Sequence, residues 1–141
     1  MIAQDSGDRA HASALATSLA RLEAEHGDTL AAFDHLTLSI RGFHDAGDTT
    51  TLRVPLAVLA VLFDRIGRYE PAAIIAGFAL TPFSASAVPE ITTAITHLRD
   101  VLGEATYESL ARRGETMTTA AMATYAYDQI DQARTAVEHP S

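Results

Sequence analysis

Three glycines recur at intervals of twenty residues, at Gly27, Gly47 and Gly67. Each closes a stretch whose apolar residues are spaced three and four apart, as on one face of a helix. Glycine ends helices at such positions because it reaches positive φ without steric cost. The regular spacing therefore predicts successive helices of similar length, joined by tight turns.

The same residue types also recur at an offset of forty residues, which predicts a repeated helical hairpin. The matching pairs are Leu19/Leu59, Ala20/Ala60, Leu22/Leu62, Gly27/Gly67 and Ala32/Ala72. Repeated hairpins stack to bury a continuous core, and such arrays mostly bind other proteins. We therefore predict an all-α fold in which antiparallel helical hairpins are stacked and closed by a C-terminal three-helix cap.

A chain of 141 residues suits one compact domain, which turn signals divide into five predicted parts. They are residues 1–8, a disordered N-terminus; 9–80, two helical hairpins; 81–87, a Pro- and Ser-rich loop; 88–137, the capping helices; and 138–141, a disordered tail. Two hairpins are fewer than the three or more repeats that usually close a repeat core. We therefore expect a partner, a second copy or a flanking domain to cover the end that the C-terminal helices leave open.

Apolar spacing predicts which faces of the helices are buried. The expected core stripes are Ala12, Leu15, Leu19 and Leu22 on the first helix, Phe33, Leu36, Ile40 and Phe43 on the second, Ile91, Ile95, Leu98 and Leu102 before Gly103, and Met122, Tyr125, Ala126 and Ile130 on the last. The stretch from Val54 to Phe63 is apolar on every side, which is typical of a central helix.

The net charge of −8 opposes binding to nucleic acid, whose affinity comes largely from clustered Lys and Arg. There are no cysteines, which excludes disulfides and thiolate metal sites. The uncharged stretch 71–89 is interrupted by Pro82 and Pro89, so we expect no membrane span. The N-terminal segment has neither a basic start nor an apolar run, so we expect no signal peptide and a cytoplasmic protein.

No residue pattern points to a metal or to catalysis. His26 lies near Glu23 and Asp28, and His44 lies beside Asp45, but a structural zinc site needs four convergent ligands. Both groups lie at predicted helix ends, where solvent-exposed polar and charged side chains are ordinary. The carboxylate pairs Glu23/Glu25 and Asp128/Asp131, like His35 and His97, are spaced as ordinary helix surfaces. We expect no catalytic, cofactor-binding or metal-binding residue, and no enzyme activity.

Parts of the hairpins resemble tetratricopeptide-type repeats. Leu19-Ala20 and Leu59-Ala60 match the packed pair on that family's first helix, and Ala32 and Ala72 match its small residue on the second. The usual period of that family is about 34 residues, whereas this chain repeats at forty. The resemblance implies stacked helical hairpins with helices more than a turn longer per pair.

The region from about Leu15 to Arg134 resembles the helical part of large actinobacterial regulators. Those proteins join a nucleotide-binding ATPase, sometimes with an adenylate-cyclase-like domain, to tetratricopeptide-like repeats, and many end in a LuxR-type helix-turn-helix. The resemblance is carried by GRYEPAAIIAGFA, by LRDVLGEATYESLARRGETMTTAAMATYAYDQI, and by a closing signature at Leu102-Gly103, Tyr107, Gly114 and Thr118. Ala120 and Ala121 stand where that family often has acidic residues.

The resemblance implies a non-catalytic protein-interaction or regulatory module of a transcriptional regulator or signalling ATPase. Its partner would be another protein, the flanking ATPase or DNA-binding domain of the parent regulator, or a second copy in a homodimer. The resemblance is compatible with a fragment of a larger regulator and with a small relative reduced to the repeat module. The alternative is a small-ligand sensor that binds an apolar effector between the hairpins and the last helix.

We predict that the purified chain binds neither ATP nor duplex DNA. It has no lysine, hence no G-x-x-x-x-G-K-[ST] loop to hold phosphates, and its net charge of −8 repels polyanions. Calorimetry with Mg-ATP and gel shift with duplex DNA test this. Salt-sensitive DNA binding near physiological ionic strength would contradict it.

Overall fold

A computed structural model describes the backbone of residues 2–138 and the side chains of residues 11–138. The described chain is all-α, with eight helices and no strand. The helices are α1 (Ile2–Glu25), α2 (Thr29–Asp45), α3 (Thr49–Arg65), α4 (Tyr69–Ala79), α5 (Pro82–Ala87), α6 (Glu90–Leu102), α7 (Glu104–Glu115) and α8 (Thr119–Glu138). Met1 and residues 139–141, which include most of the predicted tail, lie outside the described residues.

One kind of glycine turn closes each of the first three helices. Gly27, Gly47 and Gly67 have φ angles of 82°, 71° and 83°. After Gly67, the amide of Arg68 donates back to the carbonyl of Phe63 at 2.8 Å, and the matching bonds at the other two turns measure 2.9 and 3.0 Å. This satisfies carbonyls that a helix end leaves free. The predicted helix ends at intervals of twenty residues are confirmed.

The helices stack in layers around α3. The pairs α1/α2 and α3/α4 form the first two layers, and α6 and α7 both pack against α4 as a third. Helix α3 contacts α1, α2, α4, α5 and α6, and every side chain from Pro55 to Phe63 is buried, as predicted for a central helix. Helix α8 packs back across α2 and α4. The predicted cap therefore divides into a pair that extends the stack and a helix that crosses it.

Two predicted boundaries differ from the structure. Residues 2–8, expected to be disordered, belong to α1, and no proline precedes Arg9 to break that helix. The predicted loop 81–87 contains α5. Thr81 Oγ1 accepts from the amide of Ser84 at 3.1 Å, and Ser84 Oγ accepts from the amide of Thr81 at 2.9 Å. The Pro and Ser residues there mark a capped helix start.

Two glycines hold α4 and α7 in close contact. Gly114 lies inside α7 and is buried. A Cβ on Gly114 would overlap the carbonyl oxygen of Ile74 on α4, and a Cβ on Gly77 would overlap the carbonyl oxygen of Ala111 on α7. The small residues of α4 thus admit the backbone of α7.

The core stripes predicted for α2, α6 and α8 are confirmed, except that Leu102 and Tyr125 are only partly buried. Thr118 caps α8, since its Oγ1 accepts from the amide of Ala121 at 3.1 Å. None of the described helices combines the length and the apolar character that crossing a membrane requires. The core stripe predicted for α1 is wrong, because its leucines are exposed. These leucines belong to the candidate site described below.

Glycine substitutions should separate a conformational cost from a packing cost. Gly67→Ala should lower the free energy of unfolding by about 1 kcal/mol, because its φ is positive while the space around it is open. Gly114→Ala should cost about 3 kcal/mol, because its Cβ would meet backbone that cannot move alone. Urea unfolding measures both. Equal losses of unfolding free energy in the two variants would contradict the close backbone contact between α4 and α7.

Candidate interaction surface

Helix α1 packs on α2 through small and hydroxyl-bearing side chains. Ser13, Ala16, Thr17 and Ala20 are buried, and the Thr17 hydroxyl hydrogen-bonds the hydroxyl of Ser39 on α2. Ser39 also donates to the carbonyl of Ser13 at 2.9 Å. A buried hydroxyl needs such a partner. These contacts decide which side of α1 faces the protein.

The leucines of α1 point the other way. Leu15, Leu19 and Leu22 are 53%, 37% and 50% exposed, and we call these three residues the leucine stripe. They were predicted to be core, together with Ala12, which is also exposed. The prediction was wrong because helical spacing identifies an apolar stripe without saying what covers it. Bulky leucines would also hold α1 and α2 further apart than the small residues do.

The second hairpin shows what covers the same positions when neighbours are present. Leu59 and Leu62 match Leu19 and Leu22 at the forty-residue offset, and both are buried. Helix α3 contacts five other helices, whereas α1 packs mainly against α2 and α3. The leucine stripe therefore lies at the open end of the stack that the repeat number predicted.

Open grooves flank the leucine stripe on both sides. The groove between α1, α3 and α5, here called the α5 groove, has a volume of about 250 Å³. The groove between α1 and α2, here called the α2 groove, measures about 470 Å³. Apolar residues line both, among them Ala14, Val54 and Phe83 in the α5 groove and Ala12, Leu38 and Ala46 in the α2 groove. Leu38 and Phe83 are about half exposed, so apolar surface continues beyond the stripe.

One ion pair fixes α1 beside the α5 groove. Arg21 is the only charged residue between Ala12 and Leu22. Its Nε and Nη2 atoms donate to the two carboxylate oxygens of Glu90 at 2.7 and 2.5 Å, and its Nη1 donates to the carbonyl of Ala87 at 2.9 Å. This bidentate ion pair, with the bond to Ala87, joins α1 to the end of α5 and the start of α6.

The pair shifts the titration of both groups. Partial burial is the largest single effect and acts to raise the pKa of Glu90, but the hydrogen bonds from Arg21 and from the Glu90 backbone, together with the charges of Arg21 and Arg65, outweigh it, so the pKa is lowered. The hydrogen bond to Glu90 raises the pKa of Arg21. The charge of Arg21 is thus compensated within the chain.

A separate cleft of about 550 Å³ lies between α3, the start of α4 and α6. His97 Nδ1 lies 2.6 Å from Asp64 Oδ1, and the His97 ring meets the edge of Tyr69 at a centroid distance of 5.7 Å. Val61 and Ala94 supply apolar lining. These contacts orient the imidazole, whose Nε2 can then bond a ligand. Sequence reasoning placed His97 on a helix surface and missed its pairing with Asp64, 33 residues away.

His26, His35 and His44 lie at helix surfaces, where each is exposed or partly exposed. His26 Nδ1 hydrogen-bonds the carbonyl oxygen of Leu22 at 2.9 Å. Glu23, which lies near His26 in the sequence, pairs instead with His35 at 2.6 Å. His44 lies in the last turn of α2. Across the described residues, no group of three or more His, Asp or Glu side chains is placed to hold a metal ion.

Comparison of the chain with protein-family models, with curated proteins and with solved structures returned no match. The functional inference therefore rests on the surfaces of this chain. Among the described residues, the leucine stripe brings together three of the eight large hydrophobic side chains that are exposed, and the Asp64–His97 cleft places a paired histidine beside apolar lining.

Removing the Glu90 carboxylate should destabilise the fold in a pH-dependent way. Because the pKa of Glu90 is lowered on folding, its charge stabilises the fold above the ordinary glutamate pKa of about 4.3, and the effect is lost as pH falls through the folded value. Glu90→Gln should cost at most about 1 kcal/mol near pH 7, since the pair is partly exposed.

The matched control is Glu104→Gln, because Glu104 pairs with Arg99 but is 69% exposed. Its effect should be smaller at every pH. Urea unfolding between pH 3 and pH 7 tests both variants. A Glu90→Gln loss that stays constant over this range would assign the effect to packing.

Proposed function

We propose that the chain is a non-catalytic helical-repeat module that acts through protein–protein contacts, as the regulatory segment of a transcriptional regulator or signalling ATPase. The leucine stripe carries this proposal. Large contiguous apolar surface is uncommon on a monomeric protein and marks interaction sites when it occurs. Here it stands at the end of a helical stack, which is where another repeat or partner would add.

The exposed leucines can supply useful binding energy. Burying a whole leucine side chain contributes about 1.5–3 kcal/mol, so three that are about half exposed can add roughly 3 kcal/mol. Phe83 and Leu38 enlarge the area that a partner can bury. Association consumes part of this gain through lost freedom of motion, which favours a partner that also fills the grooves. An apolar helix face meets that requirement.

The charge of the chain favours protein over nucleic acid as the partner. A net charge of −8 disfavours contact with phosphate backbones. In a regulator of the kind proposed, DNA and nucleotide would be bound by other domains, and this module would contact those domains or a separate protein. The cytoplasm is the compartment that suits such a role.

The alternative, a small-ligand sensor with its effector between the hairpins and the last helix, meets a filled core. The space between the hairpins and α8 is occupied by Met122, Ala126 and Ile130, which are fully buried. The Asp64–His97 cleft is instead the place where an apolar ligand with one hydrogen-bonding group could lie. That cleft is open to solvent, whereas small-ligand sites bury most of the ligand surface, so we prefer the interaction module.

The proposal predicts a specific photocrosslink at the leucine stripe. Ser18 is exposed beside the stripe, and a photoreactive residue there should capture a defined protein in the native cells. The adduct should be lost when Leu22→Asp is added, because a carboxylate would be buried without a partner. Mass spectrometry identifies the captured protein.

Ser109, exposed on α7, is the control position and should yield no such adduct. Equal capture at both positions, or an adduct at Ser18 that survives Leu22→Asp, would contradict the proposal. Binding of a small apolar molecule that depends on His97 but not on Leu22 would favour the sensor alternative.

A further inference from the structure

We propose that the leucine stripe binds the leucine stripe of a second copy, so that two chains form an antiparallel, two-fold symmetric dimer through α1. This inference rests on the proposed function, because it names the partner of the same surface. Two properties of the surface, its charge and its shape, favour a second copy, and its area sets the strength of the contact.

Two chains that each carry a net charge of −8 repel one another. Most faces of such a molecule would bring acidic groups together. From Ala12 to Leu22 the only charge is that of Arg21, which Glu90 neutralises within the same chain. This face can therefore meet its own copy without placing like charges together. The leucine stripe itself carries no charge, and the two charged residues that line the α2 groove, Arg41 and Asp45, are of opposite sign.

The surface around the leucine stripe contains both a ridge and grooves. A two-fold interface uses the same patch on both subunits, so the patch must complement itself. The leucine stripe is the ridge, and the α5 and α2 grooves flank it. Ridges of one helix pack into grooves of another at preferred crossing angles. Each copy can therefore place its leucines beside the stripe of the other.

The spacing of the leucines suits an antiparallel register. With the two-fold axis between Ser18 and Leu19, Leu15 of one copy lies level with Leu22 of the second copy, and Leu22 with Leu15 of the second copy. The two Leu19 side chains then lie next to the axis. A parallel pair related by rotation would instead align Leu15 with Leu15, so the two arrangements place different positions together.

The area of the surface sets the strength of the dimer. The part of α1 from His11 to Glu25 is about 22 Å long, and with its flanks the surface is about 20 Å wide. That gives roughly 450 Å² per copy, below the about 800 Å² of a standard interface. We therefore expect a weak dimer that forms only at high protein concentration.

Sedimentation equilibrium of the full chain from about 10 µM to 1 mM tests the dimer. Leu19→Asp should raise the dissociation constant at least about 30-fold, because it places two carboxylates beside the axis and removes two central leucines. Leu19 is partly exposed, so circular dichroism should show an unchanged fold. Thr106→Asp, at an exposed site on α7, is the matched control and should leave the dimer unchanged.

Cysteine pairing tests the register, since the chain has no cysteine of its own. Ser18→Cys should form a disulfide-linked dimer under mild oxidation, whereas Ser109→Cys should not. A mixture of Leu15→Cys and Leu22→Cys chains should form mixed disulfides in preference to either homodimer. Homodimers from Leu15→Cys alone would overturn the antiparallel arrangement.

A chain that stays monomeric to about 1 mM, or a dimer that survives Leu19→Asp, would overturn this inference. The proposed function fails separately. A monomeric chain whose Ser18 crosslinker captures a different protein in a Leu22-dependent way would reject the dimer and retain the interaction module. A dimer in solution with no other protein captured in cells would support the dimer and reject the wider regulatory contact.

Discussion

The packing of α1 on α2 decides the character of this protein's surface. The contact is made by Ser13, Thr17 and Ser39, whose hydroxyl and carbonyl groups satisfy one another between the helices. A buried hydroxyl without a partner costs stability, so this face of α1 can be buried only against groups that pair with it. The face that carries the leucines is then directed outward. Stability of the first hairpin and exposure of its apolar stripe have the same cause.

The rest of the stack is organised around an apolar centre with a complete shell. Helix α3 is covered on all sides, and α4 can hold α7 close because Gly77 and Gly114 remove the side chains that would separate their backbones. Helix α8 then crosses α2 and α4, where Arg134 pairs with Asp34 at 2.6 Å. One end of the stack is thereby closed by the chain itself. The other end, at α1, is not covered by the described residues.

The two copies of the hairpin thus share a pattern but differ in environment. Ala20 and Ala60 are buried in both, because each sits where paired helices meet. Leu19 and Leu59 differ, because only the second is surrounded by other helices of the chain. An interaction surface can arise in this way without any special residue, from a repeat position that lacks its neighbour. The proposed partner, a second copy or another protein, would restore the missing contact.

The sequence by itself determined the all-α class, the turns and most of the core. Gly27, Gly47 and Gly67 predicted where helices end because backbone conformation there is a local property of glycine. The apolar stripes of α2, α6 and α8 were also predictable, since each faces the rest of its own chain.

Only the tertiary structure decided which side of α1 is buried, and with it the candidate site. The leucine stripe has the spacing of a core face, and Ser13 and Thr17 have the polarity of a surface, so local pattern indicates the reverse of what is found. The pairings of Arg21 with Glu90 and of His97 with Asp64 likewise join residues far apart in the chain. Burial depends on which neighbour is present and how closely it can approach. Hydrophobic spacing along one helix contains no information about either.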